Sequence, residues 1–219
     1  MDSCFSHWPD LVNDLRDLYE NTTSEVCLAV RVKQFCEKIR DHEAEIKSIT
    51  PYSIARVESL GLVMEMDWPE NPTGKRFGVQ HLDYAELRMA CITFPIILNR
   101  MQHELWTYYE EFLDDEIKEY LPDVPTLQAE NRERSHQICK FIPYLKEIGP
   151  IAGGLLTTPI HLSVETADPE IKQYMIDYML DVNKTQNVFP ANIESWEDFL
   201  IDRGRILTGR RPLHVPPPP

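Results

Sequence analysis

Residues 135–162 read SHQICKFIPYLKEIGPIAGGLLTTPIHL, and this stretch carries most of the information about the fold. Its apolar residues follow a helical spacing up to Pro143, and a second apolar run begins after the glycine-rich residues 149–154. The pattern therefore predicts a helix over 128–141, a glycine-rich turn, and a second helix near 155–164.

The same periodicity continues outward in both directions along the chain. It predicts further helices at 8–19, 25–49, 79–120, 169–182 and 196–207. Pro51 is expected to end the second of these helices, and Pro95 is expected to kink or split the longest one. Candidate N-caps are residues 21–24, Asp168 before Pro169, and Asn192 or Ser195.

A less regular region separates the second helix from the long one. Residues 52–66 suggest a short amphipathic piece, and residues 67–75 contain two prolines and a glycine, which predicts a loop and an internal boundary. No segment shows a sustained alternation of apolar and polar residues. We therefore predict an all-α fold, an irregular multi-helix bundle with Pro/Gly-rich turns and a short polyproline tail at 215–219.

Three segments follow from these boundaries. Residues 1–70 form an N-terminal helical segment, residues 75–190 the central helical domain, and residues 191–219 a C-terminal helix with a proline-rich tail. The sequence leaves open whether the first 70 residues pack on the rest.

Composition narrows the functional classes. The chain has 36 Asp and Glu against 22 Lys and Arg, a net charge of -14, which opposes direct binding of nucleic acid by the domain as a whole. The first residues lack the basic and apolar regions of a signal peptide, and the apolar run 89–98 is too short to span a membrane. We expect an intracellular protein of the nucleus or cytoplasm that does not contact a membrane. The sequence does not determine its oligomeric state.

The candidate metal sites are weak. Residues 110–119 are acidic and were expected on one helix, but Lys118 stands where an Asp-Asp-x-x-Asp motif needs its third carboxylate. The seven histidines form no His-x-x-x-His pair, and the five cysteines form no Cys-x-x-Cys pair. The prediction is no metal and no cofactor, and the catalytic residues stay unknown.

Three further groups have both a structural and a functional interpretation. His161 lies in the apolar run after the glycines, where it is either a general acid or base or, more commonly, a core histidine with one hydrogen bond. Residues 149–154 lack the spacing of a phosphate-binding loop, so their glycines are expected to let two helices approach. The arginines near the end are either a partner contact, a weak nuclear signal or, more commonly, a solvated arm: Arg203, Arg205, Arg210 and Arg211.

The region from about 77 to 187 resembles the fungal-specific transcription factor domain of zinc-cluster regulators. The order and spacing of several short motifs carry this resemblance: Arg88, residues 97–100, Ile138-Cys139, residues 142–144, residues 152–154, and Thr158-Pro159-Ile160 in place of a Trp-Pro-Leu-like step. The resemblance implies an all-helical regulatory region downstream of a DNA-binding zinc cluster. This sequence has no such cluster, and no catalytic residues are implied.

Two functions follow as expectations. The first is a truncated transcription-factor-like regulator without its own DNA-binding module, which binds a protein partner or a small apolar ligand and is tied to a fungal metabolite gene cluster. The alternative is a cofactor-free biosynthetic enzyme on the same scaffold, a cyclase or isomerase of an apolar metabolite. An enclosed apolar cavity with tyrosines, His161 or His103 favours the enzyme, and a solid core with an exposed apolar groove favours the regulator.

Overall fold

The structure is a computed structural model that describes residues 7–20 and 24–213. For residues 150–155 it describes the backbone only. These residues form nine α-helices: α1 Trp8–Glu20, α2 Glu25–Ser59, α3 Leu82–Tyr108, α4 Asp115–Tyr120, α5 Val124–Cys139, α6 Ile142–Ile148, α7 Pro150–Ser163, α8 Pro169–Gln186 and α9 Trp196–Leu207. Two short 3-10 helices lie at Glu110–Phe112 and Val164–Thr166. The predicted helical class is therefore confirmed, and the proline-rich residues 215–219 lie outside the described residues.

The core joins helices from the whole length of the described chain. Leu11, Leu15 and Leu18 of α1 are buried, as their spacing predicts, and they belong to the same apolar cluster as Leu105 of α3 and Leu200 of α9. The spacing of Val26 and Val30 along α2 is compatible with an apolar helix face, but their side chains are exposed. The inward face of α2 is instead formed by its later residues Val32, Phe35, Cys36, Ile39 and Ile46.

The amphipathic piece that the sequence predicts at 52–66 is divided in the structure: residues 52–59 belong to α2, and residues 63–66 lie in the first strand of a β-hairpin. Strands β1, Val63–Asp67, and β2, Lys75–Val79, pair antiparallel with Val63 opposite Val79. Among these strand residues only Val63 and Phe77 are buried, so the alternation is too short to be recognised in the sequence. The prediction of a purely helical chain is wrong at this hairpin.

The loop between the strands was predicted correctly and is attached to the end of α5. The buried Asn71 donates from Nδ2 to the carbonyl of Cys139 at 2.9 Å, and its Oδ1 accepts from the backbone N–H of Thr73 at 2.9 Å. The backbone N–H of Phe77 also donates to the carbonyl of Lys140 at 2.9 Å. These bonds fix the hairpin on the helical body.

Two prolines that were expected to end or split helices lie inside them. Helix α2 continues through Pro51 to Ser59, and the carbonyl that Pro51 leaves without a partner belongs to the exposed Lys47, where water can reach it. Helix α3 continues through Pro95, where the lost hydrogen bond and the ring clash destabilise the helix by about 3 kcal/mol. The buried neighbours Phe94 and Ile96 offset this loss, because burial of each side chain stabilises the fold by about 1.5–3 kcal/mol.

The predicted long helix over 79–120 is divided after Tyr108 rather than at Pro95. Helix α3 ends at Tyr108, a 3-10 turn follows, and Asp114 caps the separate short helix α4 by accepting from the backbone N–H of Ile117 at 2.8 Å. Residues 110–119 therefore do not share one helical face. Asp114 also accepts from the exposed Lys33 at 3.3 Å.

The glycine-rich turn is shorter than predicted. Gly149, with a φ of 90°, makes the break alone, and α7 begins at Pro150 and includes residues 152–154 in its first turns. Proline is well suited to the first helical turn because its missing N–H has no partner there. Helix α5 likewise starts at Val124 rather than 128, since Asp123 accepts from the backbone N–H of Thr126 at 2.9 Å.

Helix α9 returns the chain to α1. Ser195 caps α9, as predicted, by accepting from the backbone N–H of Asp198 at 3.2 Å. At the other end Gly209, with a φ of 76°, reverses the chain so that the N–H of Arg210 bonds the carbonyl of Arg205 at 2.8 Å. The indole N–H of Trp8 donates to the carbonyl of Leu207 at 3.0 Å, which joins the beginning of α1 to the end of α9.

Candidate functional site

A group of buried charges lies where α1, α3, α9 and the 3-10 turn Val164–Thr166 meet. We call it the arginine cluster, and its members are Tyr19, Arg100, Glu104, Glu165, Arg205 and Arg210. Glu165 is placed there because α7 ends at Ser163 and the 3-10 turn follows directly. Arg210 is placed there by the reversal at Gly209. A Cβ atom at Gly209 would approach the carbonyl oxygen of Val12 to 2.8 Å, so the path of the chain needs glycine here.

Glu165 is the centre of the cluster. Its Oε2 accepts from Nη1 of Arg100 and, at 2.8 Å, from Nη1 of Arg210, and its Oε1 accepts from Nη1 of Arg205 at 3.1 Å. Burial alone would raise the pKa of Glu165, but the neighbouring arginines, Arg100 first, bring that pKa well below its ordinary value. Glu165 is therefore ionised at neutral pH.

Glu104 is the second carboxylate of the cluster and links it to α1. Its Oε1 accepts from Nε of Arg210 at 2.7 Å, and its Oε2 accepts from the hydroxyl of Tyr19 at 2.5 Å. Burial first, and then the charge of Glu104, raise the pKa of Tyr19 above its ordinary value. Tyr19 therefore stays protonated and serves as a hydrogen-bond donor.

Arg100 is the least satisfied member of the cluster. Its Nε donates to the carbonyl of Leu162 at 2.7 Å and its Nη1 to Glu165, but its buried Nη2 has no partner among the described residues. Burial lowers the pKa of Arg100 to about 10, which still leaves the guanidinium charged at neutral pH. The three arginines face two glutamates, so the buried cluster carries an excess of one positive charge.

A pocket of about 320 Å³ lies beside this excess charge. We call it the arginine pocket, and it is lined by Arg100, His103, Leu127, Gln128, Asn131, Arg132, Glu165, Thr166, Ala167 and Arg210. Asn131 is buried, and its Oδ1 has no hydrogen-bond partner among the described residues. The exposed Arg132 is paired with Asp168 at 3.3 Å. The lining is thus polar, unlike the enclosed apolar cavity that the enzyme hypothesis requires.

His103 is the ionisable base of this pocket. Burial first, and then the charge of Arg210, lower the pKa of His103. Its Nδ1 lies 3.3 Å from the hydroxyl of Thr107. His103 is therefore present as the neutral imidazole at neutral pH.

His161 of α7 lies outside the arginine pocket, in an aromatic group with residues of α9 and of the segment between α8 and α9. Its ring is edge-on to Phe189, with a centroid distance of 5.9 Å, and to Phe199, with a centroid distance of 6.4 Å. Its buried Nε2 has no partner among the described residues. Burial first, and then the charge of Arg203, lower the pKa of His161 from 6.5 to about 4.

This burial predicts how His161 affects stability across acid pH. As the pH falls from about 6.5 to about 4, the unfolded chain takes up a proton that folded His161 resists. The free energy of unfolding should fall by up to about 1.4 kcal/mol per pH unit from this residue. We expect His161→Phe to remove that slope, measured by urea unfolding at pH 7, 6, 5 and 4.5. The exposed His81→Phe is the control, and an identical slope in both variants and the parent would contradict the prediction.

The other residues identified from the sequence are distributed over the structure. The expectation of a solvated arginine arm is wrong, because Arg205 and Arg210 belong to the cluster, Arg203 lies over the Phe199 ring and Arg211 over the Tyr19 ring. Asp168 precedes α8, but its carboxylate binds His136 Nε2 at 2.8 Å rather than the helix N-terminus. Cys4 lies outside the described residues. No group of three potential metal ligands is found among residues 7–20 and 24–213, and in the same ranges no helix is long and apolar enough to cross a bilayer.

The sequence patterns do not indicate the centre of the site. Arg100 was noted only within residues 97–100, and Glu104 and Glu165 were not singled out. One signal was available: Arg100 and Glu104 stand four residues apart in α3, among the apolar residues Ile96, Met101 and Leu105. Buried charges in such a run must be paired, which predicts partners from elsewhere in the chain.

Comparisons with protein-family models, with curated proteins and with solved structures give no significant match to this chain. The geometry of the arginine cluster and its pocket is therefore the basis for a functional proposal.

Proposed function

We propose that this protein is a regulatory module of the fungal transcription-factor-like type that binds a small polar effector and acts on transcription through a protein partner. The observation that supports this most directly is the arginine pocket, where a buried excess positive charge and the unpaired Nη2 of Arg100 adjoin a pocket of about 320 Å³. The resemblance of residues 77–187 to fungal regulators supports the transcriptional context. The net charge of -14 favours a protein partner over direct contact with DNA.

The construction of the site favours binding over chemistry. Arg100, Arg210 and Glu165 are held by several hydrogen bonds each, so they are preorganised and need little reordering when a ligand enters. The cluster also connects the pocket to α1, α3 and α9. A ligand that contacts Arg100 therefore contacts the group that holds these helices together, which is a suitable arrangement for signalling occupancy to a partner.

An enzymatic function is the second candidate, and one observation favours it. His103 lines the same pocket as a neutral imidazole, the form needed for a general base. The polar lining suits a polar substrate better than the apolar metabolite expected for a cyclase or isomerase. We therefore place effector binding first.

Deletion of the gene in its native host, with transcripts and metabolites measured together, separates the two functions. The proposal expects lost transcripts across a group of neighbouring genes. Unchanged transcripts with an accumulated intermediate would overturn it and favour the enzyme. Chromosomal His103→Gln is the matched variant: it should restore regulation to the deletion strain if His103 is only part of the lining, and it should not restore product formation if His103 is a catalytic base.

A further inference from the structure

We infer that the arginine pocket binds a small hydroxycarboxylate, with its carboxylate at Arg100 and its hydroxyl at Asn131. This inference rests on the proposed effector-binding function and specifies the chemical class of the effector. It is carried by two residues that line one pocket and that each have a buried polar atom without a partner among the described residues, Nη2 of Arg100 as a donor and Oδ1 of Asn131 as an acceptor.

The charge of the cluster selects a singly charged anion. Arg100, Arg205 and Arg210 are opposed by Glu104 and Glu165, which leaves one positive charge without a counter-ion in the cluster. Arg132 adds little, because it is exposed and paired with Asp168. A carboxylate balances the remaining charge. A phosphate dianion would instead leave an uncompensated negative charge next to Glu165, which is unfavourable in a buried site.

The position of Arg100 favours a directional contact. Arg100 as a whole is 2% exposed, and its Nε and Nη1 are already bound, to Leu162 and to Glu165. Nη2 is consequently held in a fixed orientation and can donate to a carboxylate oxygen without losing an existing bond. A charge-assisted hydrogen bond of this kind is about twice as strong as a neutral one.

Asn131 determines the second group of the ligand. Its Oδ1 needs a donor, and both a hydroxyl and an ammonium could provide one. An ammonium would be repelled by the surplus positive charge of the cluster, whereas a hydroxyl is neutral. The pocket volume is at the lower end of the range of about 300–1,000 Å³ for ligand sites, and Leu127 and Ala167 offer apolar contact to a short carbon skeleton.

Four probes test this inference on the full chain. Lactate has both groups, propionate lacks the hydroxyl, lactamide lacks the charge, and inorganic phosphate is the alternative anion. Dissociation constants are measured at pH 8, where inorganic phosphate is mostly the dianion, and at constant ionic strength, by calorimetry and by the rise of Tm with probe concentration. We expect lactate to bind about tenfold more tightly than propionate, and propionate more tightly than lactamide or phosphate.

Two substitutions on α5 localise the binding. Asn131→Leu should raise the Kd of lactate about tenfold while leaving the Kd of propionate unchanged, because only the hydroxyl contact is lost. Gln137→Leu is the matched control, since this amide bonds Glu133 on the same helix and does not line the pocket. If Asn131 had a purely structural role, the substitution would weaken the binding of lactate and of propionate equally.

Three results would overturn the inference. The first is that phosphate or lactamide binds as tightly as lactate. The second is that the Asn131→Leu variant binds lactate as tightly as the parent protein does, and the third is that none of the four probes binds. The first of these would leave an effector site of another chemical class, so the proposed function would stand. Unchanged transcripts in the deletion strain would overturn the proposed function independently of the lactate result.

Discussion

Replacing Glu165 by glutamine should lower the free energy of unfolding by about 3–5 kcal/mol, because the substitution removes the anion shared by three arginines. Glutamine keeps the size of the side chain, so the effect reports charge rather than a cavity. Arg100 and Arg210 are buried and cannot recover the loss by turning into water. Only Glu104 would remain to oppose three guanidinium groups.

Urea unfolding followed by circular dichroism at pH 7 measures this loss. Glu147→Gln is the matched control, since Glu147 pairs with Arg76 and its side chain is 53% exposed. Exposed ion pairs contribute about 0–1 kcal/mol, so the control should remain close to the parent. Equal losses in the two variants would show that the buried cluster has no special role in stability.

Replacing Gly204 by alanine should have an effect of similar size, through packing rather than charge. A Cβ atom at Gly204 would lie 1.9 Å from the carbonyl oxygen and 2.8 Å from the carbonyl carbon of His161. Both contacts are with backbone, so α9 and α7 would have to move apart. Overpacking typically costs about 1–3 kcal/mol and occasionally more, and here the clash with rigid backbone places the expected cost at about 3 kcal/mol or above.

Gly78→Ala provides the comparison for Gly204→Ala. A Cβ atom at Gly78 would meet the end of the Met66 side chain, 2.9 Å from its Cε, and that flexible chain can move aside. We expect the free energy of unfolding of this variant to lie within about 1 kcal/mol of that of the parent. If Gly204→Ala proves equally mild in urea unfolding and in resistance to proteolysis, the close approach of α9 and α7 is not a constraint on the fold.

The helices could be predicted because their signals are local. Leu11, Leu15 and Leu18 repeat at helical spacing, and Ser195 precedes its helix as a cap. The hairpin could not be predicted, since its five-residue strands bury only Val63 and Phe77 between them. Helix propagation through Pro51 and Pro95 depends on water access and on burial, which a single sequence does not display.

The site depended on contacts between distant parts of the chain. Arg210 and Glu165 are 45 residues apart, and Arg210 and Glu104 are 106 residues apart. Their meeting requires the reversal at Gly209 and the close approach of α9 to α7, neither of which has a local pattern. Only the pair Arg100 and Glu104, within one apolar helix, could have indicated that buried charges needed partners.

The separation of Arg210 from its partner Glu104 along the chain has a consequence for how the protein is made. A ribosome adds about 5–20 residues per second, so Glu104 is synthesised about 5–20 s before the arginine that pairs with it. Once Glu165 has been added, the nascent polypeptide contains both acidic side chains and only one of their three basic counterparts, Arg100, until Arg205 follows 40 residues later. The final interior arrangement must therefore form after Arg205 and Arg210 have left the exit tunnel.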